Sequence, residues 1–142
     1  MLSSCAVVLS DDRRKVPQFS ENGMIYKALN DGKKRVIRYQ IDSNAMSSDT
    51  KRCDNALEVV ENDFVFFVEL KGEDIKKAAS QIHSTINHFA TDLCGKILFG
   101  RIVCSRVPRP DIQSTQLVAL KKKLAASGGN LLKGSRKIEE KI

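Results

Sequence analysis

An α/β (α+β) sandwich, with a mixed central sheet flanked by helices, is the fold class this sequence predicts. Three observations predict it. Phe64-Val65-Phe66-Phe67-Val68 is an unbroken run of β-branched and aromatic residues, the composition of a strand buried on both faces. From Asp74 onward, Ile75, Ala78, Ala79, Ile82, Ile86, Phe89, Ala90 and Leu93 keep the three–four spacing of an amphipathic helix. Ile97-Leu98-Phe99-Gly100-Arg101-Ile102-Val103-Cys104 then supplies another buried strand.

The elements follow in order. Residues 5–9 read as a short strand and 11–15 as a charged loop. Residues 21–29 are expected to form a short helix ending near Asn30-Asp31-Gly32. Residues 36–41 alternate well enough for a strand, and the polar 43–50 segment is a loop. Residues 54–60 read as a strand that Glu61-Asn62-Asp63-Phe64 turns into a hairpin. With Asn62-Asp63 as a two-residue turn, Glu61 lies opposite Phe64. Residues 74–93 are helical up to Cys94-Gly95, with Lys77, Gln81, Ser84 and His88 as a polar stripe. Pro108 and Pro110 break the strand after it. Asp111 is placed to cap a helix over 112–126, which Gly128-Gly129 stops. Residues 130–133 make a last short strand before a charged tail. At 142 residues without repeats the chain is read as one domain, 1–142, whose first 32 residues show the weakest pattern.

The chemistry-bearing residues gather around the hairpin. Glu69-Leu70-Lys71 ends the apolar run, and Asp54 begins the preceding strand. A carboxylate and an ammonium at the end of a buried strand are costly unless paired, hydrogen-bonded or bound to a metal. Alternation puts Glu69 and Lys71 on one face. A two-residue turn sets Asp54 opposite Lys71 and diagonal to Glu69 on that face, whereas a three-residue loop would turn Asp54 away. Two carboxylates beside a lysine suit a hard, oxygen-ligated cation such as Mg²⁺ or Mn²⁺. An ordinary cross-strand ion pair would use the same residues.

The net charge of +7 favours a polyanionic partner. It is carried by Arg13-Arg14-Lys15, Lys33-Lys34-Arg35, Lys76-Lys77, Lys121-Lys122-Lys123 and Arg136-Lys137, with Arg101, Arg106 and Arg109 at irregular spacing. Each cluster alone also fits a solvated basic surface. Cys5, Cys53, Cys94 and Cys104 have neither metal-ligand nor redox spacing and read as reduced thiols of a cytoplasmic protein. No segment reaches the roughly 20 apolar residues of a transmembrane helix.

Asp54, then fourteen residues, then Glu69-x-Lys71, on a hairpin followed by a helix, resembles the PD-(D/E)XK nuclease superfamily, in particular its small stand-alone bacterial or phage members. The likeness covers residues 33–137. It implies a restriction-endonuclease-like fold and Mg²⁺-dependent hydrolysis of phosphodiester bonds in DNA, less readily in RNA, with defence, recombination or repair as settings. In that pattern Asp54, Glu69 and the Leu70 backbone carbonyl hold the metal, and Lys71 positions the attacking water. Gln81 occupies the place of a helical glutamine near the site, or else is a solvated helix residue. Lys76, Lys77, Lys121, Lys122, Lys123 and Arg106 are the expected nucleic-acid contacts. A homodimer or a partner protein would supply specificity that so short a chain has little room for. Two departures stand beside the likeness: no proline precedes Asp54, and no long N-terminal helix carries an inward glutamate, Glu21 being a poor substitute. The second departure keeps open a non-catalytic subunit that binds nucleic acid or a protein. An interbacterial nuclease toxin is a further alternative.

Overall fold

The computed structural model describes residues 2, 6–41, 54–70, 74–106 and 114–142. The strands are β1 (Ala6–Asp12), β2 (Gln18–Glu21), β3 (Met24–Leu29), β4 (Val36–Ile41), β5 (Asn55–Val59), β6 (Phe64–Glu69), β7 (Ile97–Cys104), β8 (Leu131–Ser135) and β9 (Lys137–Lys141). The helices are α1 (Ile75–His88) and α2 (Thr115–Ser127). Six strands form one sheet in the order β1-β4-β5-β6-β7-β8, and β2-β3-β9 form a smaller one. From β1 to β6 each neighbour is antiparallel, and β6, β7 and β8 are parallel. The mixed central sheet expected from the sequence is present. Its helices flank one face only, because the small sheet covers the other.

Alternation along the central strands divides the core in two. Ile37, Tyr39, Ala56, Val65, Phe67 and Ile102 meet the helices. The intervening Val36, Leu57, Phe66, Val68 and Val103 meet Phe19, Met24, Tyr26 and Ile138 of the small sheet. Both faces of β6 are therefore covered, and this is why its sequence is apolar without alternation.

The small sheet corrects two expectations. Residues 21–29 are not helical: Asn22 (φ 51) and Gly23 (φ 79) make a two-residue hairpin turn that sets Glu21 beside Met24. Met24, Tyr26 and Ala28 are buried at period two. The charged tail is also ordered. It forms β9, parallel to β3, with Ile138 in the second core.

Helix α1 stops at His88, five residues earlier than its apolar spacing suggests. Phe89 and Leu93 still pack into the core, but through turns that close at Gly95 (φ 80). Thr91 and Asp92 favour such turns over helix. Helix α2 is capped by Ser114, whose Oγ accepts from the Leu117 N–H at 3.1 Å. The expected cap, Asp111, lies outside the described residues. Gly128 (φ 98) ends α2 as expected. A Cβ on the next residue, Gly129, would sit 1.7 Å from the Leu98 carbonyl oxygen, which is backbone and cannot step aside. Gly129→Ala is expected to cost about 3 kcal/mol or more, read as a lower urea midpoint at unchanged slope. A wild-type midpoint would contradict this close approach.

At the hairpin end of the central sheet, Glu58 is almost fully buried yet well satisfied. Tyr39 Oη donates to its Oε1 at 2.8 Å, and Lys96 Nζ reaches its Oε2 at 3.3 Å and Asp63 Oδ1 at 3.1 Å. The hydrogen bond to Asp63, aided by Glu58, raises the Lys96 pKa. Burial raises the Tyr39 phenol, and the hydrogen bond to Glu58 adds to it. Burial likewise raises Tyr26, whose hydroxyl donates to Glu140. All three groups hold their protons more tightly folded than unfolded. Their contribution is complete below the unfolded pKa values, near 10, and is lost as pH climbs past them. The urea midpoint should stay level to about pH 9 and fall above about pH 10, by up to ~1.4 kcal/mol per pH unit per group. A midpoint that stayed level to pH ~11 would contradict these assignments.

Candidate active site

The hairpin turn is longer than expected. Val59 pairs with Phe64, and Val60–Asn62 form a 3-10 turn that Asp63 closes in the left-handed region (φ 54). An aspartate tolerates that conformation better than most residues. The register moves by two residues, from Glu61 opposite Phe64 to Val59 opposite Phe64. An even shift keeps every side chain on its face.

One step beyond the last pair, Asn55 with Val68, this ladder sets Asp54 across from Glu69 rather than across from Lys71. Asp54 remains tied to the sheet, since its carbonyl accepts from the Ile41 N–H at 2.9 Å. Continued alternation assigns Asp54 to the face of Ala56 and Glu58, and Glu69 to the face of Val65 and Phe67. Alternation carried past the strand end would put both carboxylates on the helix-facing side, at the end of the sheet opposite the turn, while Asp54, which precedes β5, lines a cleft on the small-sheet side. Glu69 is fully buried, whereas Asp54 is half-buried at a strand end open to solvent.

Lys71 lies outside the described residues. Leu70 closes β6 with its side chain buried in the second core. Gln81 is not on a solvated stripe: it is buried on the inward side of α1 with Ala78, Ile82 and Thr85, while Lys77 and His88 are exposed. The α1 apolar stripe is thus wider than the three–four spacing indicates.

The donor set suits a hard divalent cation. It offers Glu69, shielded at the end of β6, Asp54, in contact with solvent just before β5, and the Leu70 carbonyl next in sequence. Among the described residues no group of three or more His, Cys, Asp and Glu side chains gathers around a common point. A cation here would complete its shell with waters and substrate oxygens, as Mg²⁺ commonly does.

The basic residues divide into two kinds. Lys76 and Lys77 on α1, Lys121, Lys122 and Lys123 on α2, and Arg106 after β7 are exposed. Others serve the fold. Arg35 pairs with Asp11 at 2.6 Å, Arg13 with Glu61 at 3.0 Å and Arg14 with Asp12 at 2.7 Å. Arg101 is buried, with its Nε 2.9 Å from Glu140 Oε1. Arg109 lies outside the described residues.

A cleft of about 780 Å³ opens between the small sheet and the β1–β4–β5 end of the central sheet. Arg14, Gln18, Arg38, Gln40, Asp54 and Asn55 line it, and so does Glu21. Arg38 and Gln18 do not stand out in the sequence, because a helix over 21–29 leaves no place for the small sheet that forms one wall. The Asn22-Gly23 pair is the signal that points to that sheet. No helix of the described residues is long and apolar enough to cross a membrane. Compared with known protein families, with characterised proteins and with solved structures, the chain finds no match.

Proposed function

We propose that the chain is a metal-dependent nuclease hydrolysing phosphodiester bonds of DNA. The observation that carries this reading is the β5–β6 register, which, extended one step past Asn55 and Val68, would bring Asp54 across from Glu69. Asp54, Glu69 and the Leu70 carbonyl would hold Mg²⁺ or Mn²⁺. Such an ion, when bound, polarises a phosphoryl oxygen and acidifies a bound water. Buried Glu69 offers a fixed, dry ligand, while half-exposed Asp54 borders the cleft through which substrate would enter. Lys71, two residues on from Glu69, would orient the attacking water and offset charge developing on the phosphate. Gln81, buried on the inward side of α1, would help position the site's groups. Plasmid DNA should be cut by the wild-type chain with Mg²⁺ or Mn²⁺ and left intact in EDTA.

One observation favours a second reading, a non-catalytic subunit that binds nucleic acid. The superfamily pattern calls for an N-terminal helix carrying a glutamate, and residues 6–12, 18–21 and 24–29 are strands instead. DNA left intact with every metal, by a chain that still binds it, would favour this subunit.

In both readings the exposed lysines of α1 and α2 meet phosphates. DNA affinity should fall steeply with added salt. Replacing Lys121, Lys122 and Lys123 by Gln should flatten the slope of log affinity against log salt by about 0.9 for each phosphate left without its lysine. An unchanged slope would remove α2 from the interface.

A further inference from the structure

Arg38 is held as if for a ligand. It projects from the middle of β4 toward the small sheet and is half-buried. Its Nε donates to Ser10 Oγ at 2.8 Å and its Nη1 to the Gln18 carbonyl at 2.9 Å. Its guanidinium carbon lies 5.7 Å from the Phe19 ring centroid. These contacts from β1 and β2 fix the plane of the group. Among the described residues no carboxylate forms an ion pair with it, and its Nη2 donates to none of them. By contrast, the Arg14 guanidinium on the same cleft is matched by Asp12, with Nε at 3.0 Å from both carboxylate oxygens. Burial, and then the charge of Arg14, draw the Arg38 pKa below its ordinary value, with Asp12 opposing. A fixed, partly buried cation with an unused donor is completed by an anion.

We propose that this cleft takes a backbone phosphate of a nucleic-acid strand, with Arg38 as its anchor, so that the strand runs past Asp54. A planar guanidinium whose Nη2 has no partner among the described residues, flanked by the amides of Gln18, Gln40 and Asn55, suits a phosphate and the sugar edge beside it. The cleft is far larger than one phosphate. With Arg14 paired to Asp12, its carboxylates Glu21 and Asp54 outweigh Arg38, so it has no positive charge with which to gather a free anion. A phosphate delivered within a strand needs no such help, and its contact sets register rather than bulk affinity. The choice of nucleic acid rests on the function proposed above, whereas the phosphate site rests on Arg38.

The test is fluorescence anisotropy with a labelled DNA oligonucleotide in EDTA, where metal chemistry plays no part. Arg38→Gln should weaken binding about tenfold and reduce the salt slope by about 0.9. Glu21→Gln, at an exposed strand end, should tighten binding a few-fold, a gain that misfolding cannot imitate. If Arg38→Gln fails to fold by circular dichroism, Glu21→Gln decides alone. Wild-type affinity in the folded variants overturns the proposal. Adenosine monophosphate bound as tightly as the oligonucleotide overturns the strand. A wild type that never cleaves DNA but loses affinity through Arg38→Gln would leave this site standing and remove the nuclease. Cleavage that persists with Arg38→Gln binding unchanged would do the reverse.

Discussion

Asp54→Asn and Glu69→Gln should each abolish metal-supported DNA cleavage, by at least about 100-fold. Loss of groups that merely orient metal ligands typically costs 10- to 100-fold, so loss of a ligand should cost no less. Both substitutions keep the shape of the side chain and remove one formal charge, which matters most at Glu69. That residue is fully buried, and truncation to alanine would add a cavity to the electrostatic loss. The two variants should differ in one respect. Asp54 stands half-exposed beyond the end of β5, so its variant should unfold at the wild-type urea concentration. Both should retain DNA binding in EDTA, because neither carboxylate supplies a phosphate contact. Cleavage at wild-type rate in either variant would move the chemistry away from this sheet end.

Glu140→Ala should be the most destabilising change among the charged residues, by about 3–5 kcal/mol. Arg101 lies in the second core against the stacked rings of Phe66 and Phe99, with its guanidinium carbon 5.3 Å from the Phe66 centroid and 5.2 Å from that of Phe99. Its Nη1 donates to the carbonyls of Gly100 (2.9 Å) and Asn130 (3.1 Å) and to Asn130 Oδ1 (2.8 Å). Glu140 is its counter-charge and also accepts from Tyr26 Oη at 2.9 Å. Removing Glu140 leaves a buried guanidinium uncompensated and releases β9 from the central sheet. Arg101→Met combined with Glu140→Gln should cost less than Glu140→Ala alone, since no charge is then stranded. A loss below about 1 kcal/mol in Glu140→Ala, by urea unfolding, would mean that water reaches Arg101 in the folded chain.

The contrast between Arg101 and Lys121 shows where sequence patterning stops. Both are basic residues in a basic chain, yet one is a core pillar and the other an exposed helix residue. Only the fold brings Glu140, 39 residues away, to Arg101. The strands of the central sheet were legible because β4, β5, β6 and β7 are made of runs that suit burial on one or two faces. The small sheet was not, since β9 reads Lys-Ile-Glu-Glu-Lys and depends on parallel pairing with a strand more than 100 residues earlier. The faces of the paired residues Asn55–Val59 and Phe64–Val68 were legible, because alternation survives any even change in turn length. The register itself was not: the chain between Val59 and Phe64 permits both turns, and the 3-10 turn leaves Asp63 to take the left-handed conformation. Gln81 reads as solvated from its polarity alone, although its position on α1 falls on the inward side with Ala78 and Ile82.

The claim that Asp54 and Glu69 share one cation is tested most directly by crystals soaked in Mn²⁺ and measured at the manganese absorption edge. One anomalous peak is expected at the Asp54 end of β5, ligated by one carboxylate oxygen from each residue, with the remaining positions filled by water or the Leu70 carbonyl. Two carboxylates turned to opposite faces of the sheet, with no shared peak between them, would contradict it.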